Sequence, residues 1–257
     1  MHPAFSIIFF TTAAGAGYGL LFVLGLLGPA GLLPAGGGFG FVALAVALGL
    51  VAAGLLSSLL HLGRPERAWR ALSQWRSSWL SREGVAAVLS FVPAAGLGLA
   101  WVVLGDPGGG LGVAAGWLCA AMAVVTVVCT AMIYASLPTV RQWHTAWVPV
   151  TYLALALMSG LLLAAALAAL AGAGVRGLAL SAALATAVAW ALKEGYWRAM
   201  ADGMPAATAE EATGLGRLGR VRSLEAPHTE ENYLLKEMGF AVGRRHAGRL
   251  RHVARAA

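Results

Sequence analysis

The sequence predicts an all-α fold, a polytopic bundle of membrane-spanning helices. Three observations carry that reading. The run from Pro3 to Gly63 contains no Asp, Glu, Lys or Arg. Only 11% of the 257 residues are charged and 59% are apolar, against about 25% charged in soluble domains. Mean hydropathy is +0.75. In lipid, each backbone polar group must be satisfied within its own segment, so apolar runs of this length become helices.

A span needs about 20 apolar residues, and six segments qualify, at 5–28, 39–62, 84–104, 111–134, 147–171 and 178–200. The first begins MHPAFSII, without a basic n-region, and runs well past signal-peptide length, so it reads as a span. The turn GPAGLLPAGGG at 28–38 separates it from the second. After the second comes a polar island, HLGRPERAWRALSQWRSSWLSRE, from His61 to Glu83. The third span follows at once and ends at GDPGGG, 105–110. The fourth holds both cysteines, Cys119 and Cys129, with no CxxC and no nearby His. Zinc and iron–sulfur sites need more soft ligands at short spacing, so both read as small core residues and no metal is expected. The loop LPTVRQWHTAWVP, 137–149, leads to the fifth span, and AGAGVRG, 171–177, to the sixth. Small residues such as AAGAG at 13–17 and MSG at 158–160 let helix backbones approach closely, a packing signal rather than a chemical one.

Residues 1–200 are thus expected to form the bundle and 201–257 a polar tail. The tail starts with linker composition. From about Glu230, Leu234, Met238, Val242, His246, Leu250 and Val253 recur at helical spacing among arginines. That pattern fits a basic amphipathic helix, either on the membrane surface or solvated and leading to another element.

The formal charge is +7. The cations lie in loops and tail, where they orient a membrane protein, and nucleic-acid binding is not expected. Six spans place seventeen of the 18 Lys and Arg on one side, leaving only Arg176 opposite. The positive-inside rule then puts both termini and the 63–82 loop in the cytoplasm.

The six histidines are His2, His61, His144, His228, His246 and His252, none in the middle of an apolar segment, so haem ligation is not expected. Any redox role must use a diffusible carrier and a partner's cofactor. A quinol loses two protons with its two electrons, and a His and a partly buried carboxylate can accept them near neutral pH. His61 ends the second span and Glu83 opens the third, on one membrane face. A second reading stays open, in which His61 caps a helix and Glu83 neutralises Arg82 or Arg76. Arg64, Arg67, Arg70 and Arg76, with Trp69, Trp75 and Trp79, fit an interfacial anchor and equally a docking surface for an acidic or polar partner subunit. Arg141, Trp143, His144 and Trp147 repeat the theme in the next loop. Trp190, Lys193, Glu194, Tyr196 and Trp197 form a further polar-aromatic cluster. Intramembrane ionisable groups are functional candidates, although Lys193 and Glu194 are adjacent and so do not face each other.

HLGRPERAW…SWLSRE resembles the membrane anchor subunit of dimethyl sulfoxide reductase-type enzymes, the DmsC family. Further matches are CTAMIYASLPTVRQWH at 129–144, Lys-x-x-Tyr-Trp at 193–197, and ENYLLKEMGFAVGRRHA at 231–247. The resemblance implies an anchor in the bacterial inner membrane for a molybdopterin catalytic subunit and an iron–sulfur electron-transfer subunit. It implies exchange of electrons with the quinone pool, menaquinol or ubiquinone, by a protein with no prosthetic group of its own. The family's quinol-binding His and Glu carry over to His61 and Glu83, with Arg67 and Arg76 as candidates to orient the headgroup or touch the partner. Arg64, Arg70, Trp69, Trp75, Arg141 and His144 are the candidate docking residues.

Two departures stand out. Family members usually have eight spans against the six counted here, so both a truncated sequence and a short form are open. The charge bias puts the island inside the cell, which looks more like the related sulfite-oxidising complex than dimethyl sulfoxide reductase itself. Competing readings are a purely structural anchor and a small transporter. The last expects polar midplane groups or an inverted repeat, and the sequence displays neither.

Overall fold

The computed structural model describes residues 5–59, 65–138, 140–201, 208–222 and 241–256. Six helices are long and apolar enough to cross a membrane. They are α1 (Phe5–Leu27), α2 (Gly37–Leu59), α3 (Trp79–Gly98, extended by a π turn at Leu99–Val103), α4 (Gly110–Ala135), α5 (Trp147–Leu170) and α6 (Arg176–Ala201). Among the described residues there is no strand. The polytopic all-α bundle read from the sequence is the observed architecture.

The connections end helices by ordinary backbone chemistry. After α5, Gly172 adopts φ +72°, which a residue without Cβ reaches without steric penalty. The Ala173 and Gly172 amides then donate back to Ala168 and Ala169 carbonyls at 3.0 and 2.9 Å, satisfying groups that a helix end leaves open.

α1 is the central helix. Leu20, Leu21 and Leu24 are fully buried, and its glycines set the distances to its neighbours. A Cβ on Gly17 would meet the α2 backbone at Ala47, one on Gly19 would collide with Ala156 of α5, and one on Gly25 with Gly116 of α4. Such small-residue contacts replace the hydrophobic drive that lipid does not supply. α3 packs along α4, and α5 along α6. Pro93 lies inside α3, where it removes a backbone donor, and the π turn follows farther along the same helix. That turn buries Trp101 completely against Phe39, ring centroids 5.9 Å apart, and over Gly28 and Gly40. Cys119 and Cys129 are buried and unbonded to each other, as core residues.

The third span begins five residues before the sequence places it, at Trp79 rather than 84. The physical reason is Arg82. Its guanidinium reaches back to donate to the Trp75 and Arg76 carbonyls at 3.0 and 2.7 Å and lies 4.3 Å from the Trp79 ring centroid. Its charge therefore stays at the boundary while its backbone belongs to the helix. The island between α2 and α3 contains a 3₁₀ segment, Pro65–Gln74. It folds onto the start of α3, where the Ser81 hydroxyl donates to the Ala71 carbonyl and Leu72 lies over Gly84.

The tail, a separate compact unit, contains a short helix α7 (Ala209–Thr213), a 3₁₀ turn (Gly216–Leu218) and the arginine-rich helix α8 (Ala241–Ala256). The Glu210 carboxylate accepts the Val221 amide at 3.0 Å, which holds its pKa below the usual carboxylate value. Of the expected amphipathic stripe, Val242, His246, Leu250 and Val253 lie on α8, and Leu250 and Val253 are exposed. Leu234 and Met238 lie outside the described residues.

Candidate functional site

Glu83 does not open its helix; it sits in the second turn of α3, only 4% exposed. Its Oε1 lies 2.5 Å from the Thr130 hydroxyl of α4, and that hydroxyl is also 3.0 Å from the Thr126 carbonyl. The sequence offered Arg82 or Arg76 as counter-ions for Glu83. Neither is its partner, because Arg82 bonds to backbone carbonyls and Arg76 lies over the Trp75 ring at 5.4 Å. Among the described residues Glu83 has a hydroxyl for company and no cation.

Thr130 is also part of a wall. A cleft of about 360 Å³ runs between α1, α4 and α5, and its polar lining includes Thr11, Thr12, Tyr18, Thr130, Tyr152 and Ser159. That volume lies in the range of small-molecule sites. Several of these hydroxyls are engaged: Thr11, Thr12 and Ser159 donate to the carbonyl four residues back. The Tyr18 hydroxyl is different. The residue is 2% exposed, and its oxygen has no hydrogen bond of good geometry among the described residues. The Ser90 and Thr126 hydroxyls beside it donate to the Ala87 and Met122 carbonyls at 2.7 and 2.8 Å, so neither donates to it. A buried orphan hydroxyl costs about 1–3 kcal/mol, so an unpaired one on a cleft wall is a donor waiting for an acceptor. A smaller lobe of about 140 Å³ continues past Tyr18 and Val127 toward Phe22. Its lining is nearly all apolar.

The other sequence candidates fall into separate places. Arg67, Arg70 and Arg76 are exposed on the island, and Arg70 lies 5.5 Å from the Trp69 ring centroid. Trp69 and Trp75 are 66% and 53% exposed, so the island presents alternating cations and indoles outward. His144 is exposed, with Nδ1 2.7 Å from the Ala135 carbonyl, which ties the α4–α5 loop to the end of α4. Arg141 is half-buried in that loop. His61 and Arg64 lie outside the described residues. Among the described residues no three His, Cys, Asp or Glu side chains converge as a metal group would require.

Fold and cleft together define a multi-pass helical membrane protein with a basic, aromatic loop and a partly polar intramembrane cleft. Residues 1–199 match the family model described as DMSO reductase anchor subunit (DmsC), and the protein belongs to that family. It is 42% identical over 185 residues to the C subunit of sulfite dehydrogenase from Allochromatium vinosum, covering 67% of this protein and 57% of that one. It is 33% identical over 125 residues to the DmsC-type component of the anaerobic dimethyl sulfoxide reductase of Escherichia coli K12, covering 48% of this protein and 42% of that one. A second Escherichia coli K12 relative, the anaerobic dimethyl sulfoxide reductase component YnfH, is 34% identical over 120 residues, covering 46% and 41%. The matched regions thus span 57% of the first relative's length and less than half of the others'. No solved structure matches the protein.

Proposed function

We propose that this protein is the membrane anchor and quinone-reactive subunit of a molybdopterin oxidoreductase complex, passing electrons between the quinone pool and a partner iron–sulfur subunit. The observation that carries the reading is the buried Glu83–Thr130 pair behind the wall of a lateral cleft. A quinone ring needs a donor at its carbonyl oxygen, and a quinol needs an acceptor for its proton. Tyr18 supplies a free hydroxyl at the wall, and Thr130 stands between the cleft and the Glu83 carboxylate. A hydroxyl carries one proton. A proton from quinol moves to Thr130 as the Thr130 proton moves to Glu83, and the reverse returns it. His61 is the second proton group, exchanging with the cytoplasmic side.

The exposed Arg and Trp residues of the island, with Arg141 and His144 on the next loop, form the docking surface for the iron–sulfur subunit. Long-range attraction to an acidic partner favours encounter more than it adds affinity. The higher identity and longer match to a sulfite dehydrogenase subunit support the branch in which electrons enter the quinone pool. The terminal substrate meets the catalytic subunit rather than this one.

The test is quinol-analogue binding and quinone-linked turnover in membranes containing the co-expressed complex. Glu83→Gln and His61→Ala are expected to lower turnover by about 10²-fold, the scale of one general acid–base group, with the soluble subunits still attached. Unchanged binding and turnover in both variants would leave a purely structural anchor.

A further inference from the structure

A second cleft lies at the loop end of the bundle, and the quinone reading makes no use of it. Its volume is about 260 Å³, with Ile7 and Ile8 of α1 and Leu155 of α5 as apolar walls, Trp143 of the loop, and Thr151 and Lys193 as polar members. The Lys193 ammonium lies 4.7 Å from the Tyr196 ring centroid and 5.7 Å from that of Trp197. No carboxylate pairs with Lys193 among the described residues, since its neighbour Glu194 is paired with Arg198 at 3.1 Å. A cation within a helix, held by rings and facing no anion, calls for an anion from elsewhere.

Thr151 points the same way. In these helices Thr11, Thr12, Thr126, Thr130, Thr186 and Ser159 each donate to the carbonyl four residues back. That back-bond is the default for a hydroxyl in an apolar helix. Thr151 departs from it. It is 5% exposed, and its hydroxyl is buried without a partner while the residue lines the cleft. A free cation and a free hydroxyl therefore border one space above apolar walls. Lys193 lies about 26 Å along α6 from Arg176 at 1.5 Å per residue, near the boundary of a hydrocarbon layer about 30 Å thick.

We propose that this cleft binds the phosphate headgroup of an anionic phospholipid, with Lys193 meeting the charge, Thr151 donating to a phosphate or glycerol oxygen, and Ile7, Ile8 and Leu155 meeting the acyl chain. The cleft shares Thr11, Tyr152 and Leu155 with the larger one, so the lipid borders that space. The inference stands whether or not the larger cleft accepts quinone.

Native mass spectrometry of the full-length protein in detergent tests it, with phosphatidylglycerol and phosphatidylcholine of equal acyl length as probes. The wild type retains phosphatidylglycerol at least about fivefold better, the scale of one interfacial cation. Lys193→Gln abolishes the preference, Thr151→Val weakens it, and Arg198→Gln, outside the cleft lining, keeps it. Millimolar inorganic phosphate leaves bound lipid in place; displacement would mark a free-phosphate site and overturn the lipid assignment. Equal retention of both lipids by the wild type, or a preference that survives Lys193→Gln, also overturns it. If Lys193→Gln does not assemble, Lys193→Arg keeps the preference, and its loss in that variant counts against the proposal.

Discussion

Glu83, Thr130 and Tyr18 place three oxygen functions inside one bundle, and each predicts a different response to deletion. Thr130→Val removes the one hydroxyl bonded to the buried carboxyl. Leaving such a group unpartnered costs about 1–3 kcal/mol, so the melting temperature in detergent falls, while Thr126→Val, whose hydroxyl donates within its own helix, has a smaller effect. Tyr18→Phe removes an oxygen that no described group satisfies, so melting temperature holds or rises while quinol-analogue affinity drops several-fold. A rise in stability with full affinity would assign the hydroxyl no ligand. Glu83 was legible in the sequence because it is the only carboxylate between Glu66 and Asp106. Its burial was not, because that depends on where the side chain of Arg82 turns. Tyr18 and Thr130 carried no signal of their own. A hydroxyl in an apolar helix normally bonds back to its own backbone, and only the packing of α1, α3 and α4 distinguishes these two.

At the scale of the elements, the glycines of α1 decide how closely the helices meet. Apolar length fixed the number of helices, but neighbours and depth depend on which small residues face one another. AAGAG at 13–17 offered a run of small positions with nothing to rank them. The structure does rank them: a Cβ at Gly15 meets nothing within 4 Å, whereas those at Gly19 and Gly116 would run into backbone across a helix crossing. Gly19→Ala and Gly116→Ala are therefore expected to destabilise the bundle by roughly 1–3 kcal/mol, the cost of overpacking, and Gly15→Ala to be neutral. Thermal melting of the three purified variants decides it, and equal melting of all three would mean that α1 does not pack in this way. The start of α3 carries the same lesson. Arg82 and Glu83 look like a span boundary in one dimension, yet one side chain reaches back to the interface and the other turns inward. The π turn that buries Trp101 leaves no mark in hydropathy, since a hydrogen bond reaching five residues instead of four changes direction and not composition.

For the whole molecule, the distribution of cations fixes the orientation that the mechanism needs. Arg176 is the one Lys or Arg at its end of the bundle, while the island, the α4–α5 loop, the end of α6 and the tail hold the rest. The positive-inside rule then predicts a cytoplasmic island and an opposite-facing α5–α6 turn. Both native cysteines are buried, so a single introduced thiol reports its own side. Ser77 of the island and Gly174 of the α5–α6 turn are exposed. In intact cells a membrane-impermeant maleimide is expected to label Gly174→Cys and not Ser77→Cys, and inverted vesicles reverse the pattern. Labelling of both from one side would break the six-span reading, because an odd number of spans separates them. The reversed pattern would put the island, and with it the docking surface and the proton exchange of His61, on the outer face. In the orientation expected here, electrons and protons leave and enter on the same side, so quinone-linked turnover separates no charge across the membrane. A potential-sensitive dye should therefore stay flat during turnover of the reconstituted complex, and a sustained signal would require that protons reach Glu83 from the opposite face.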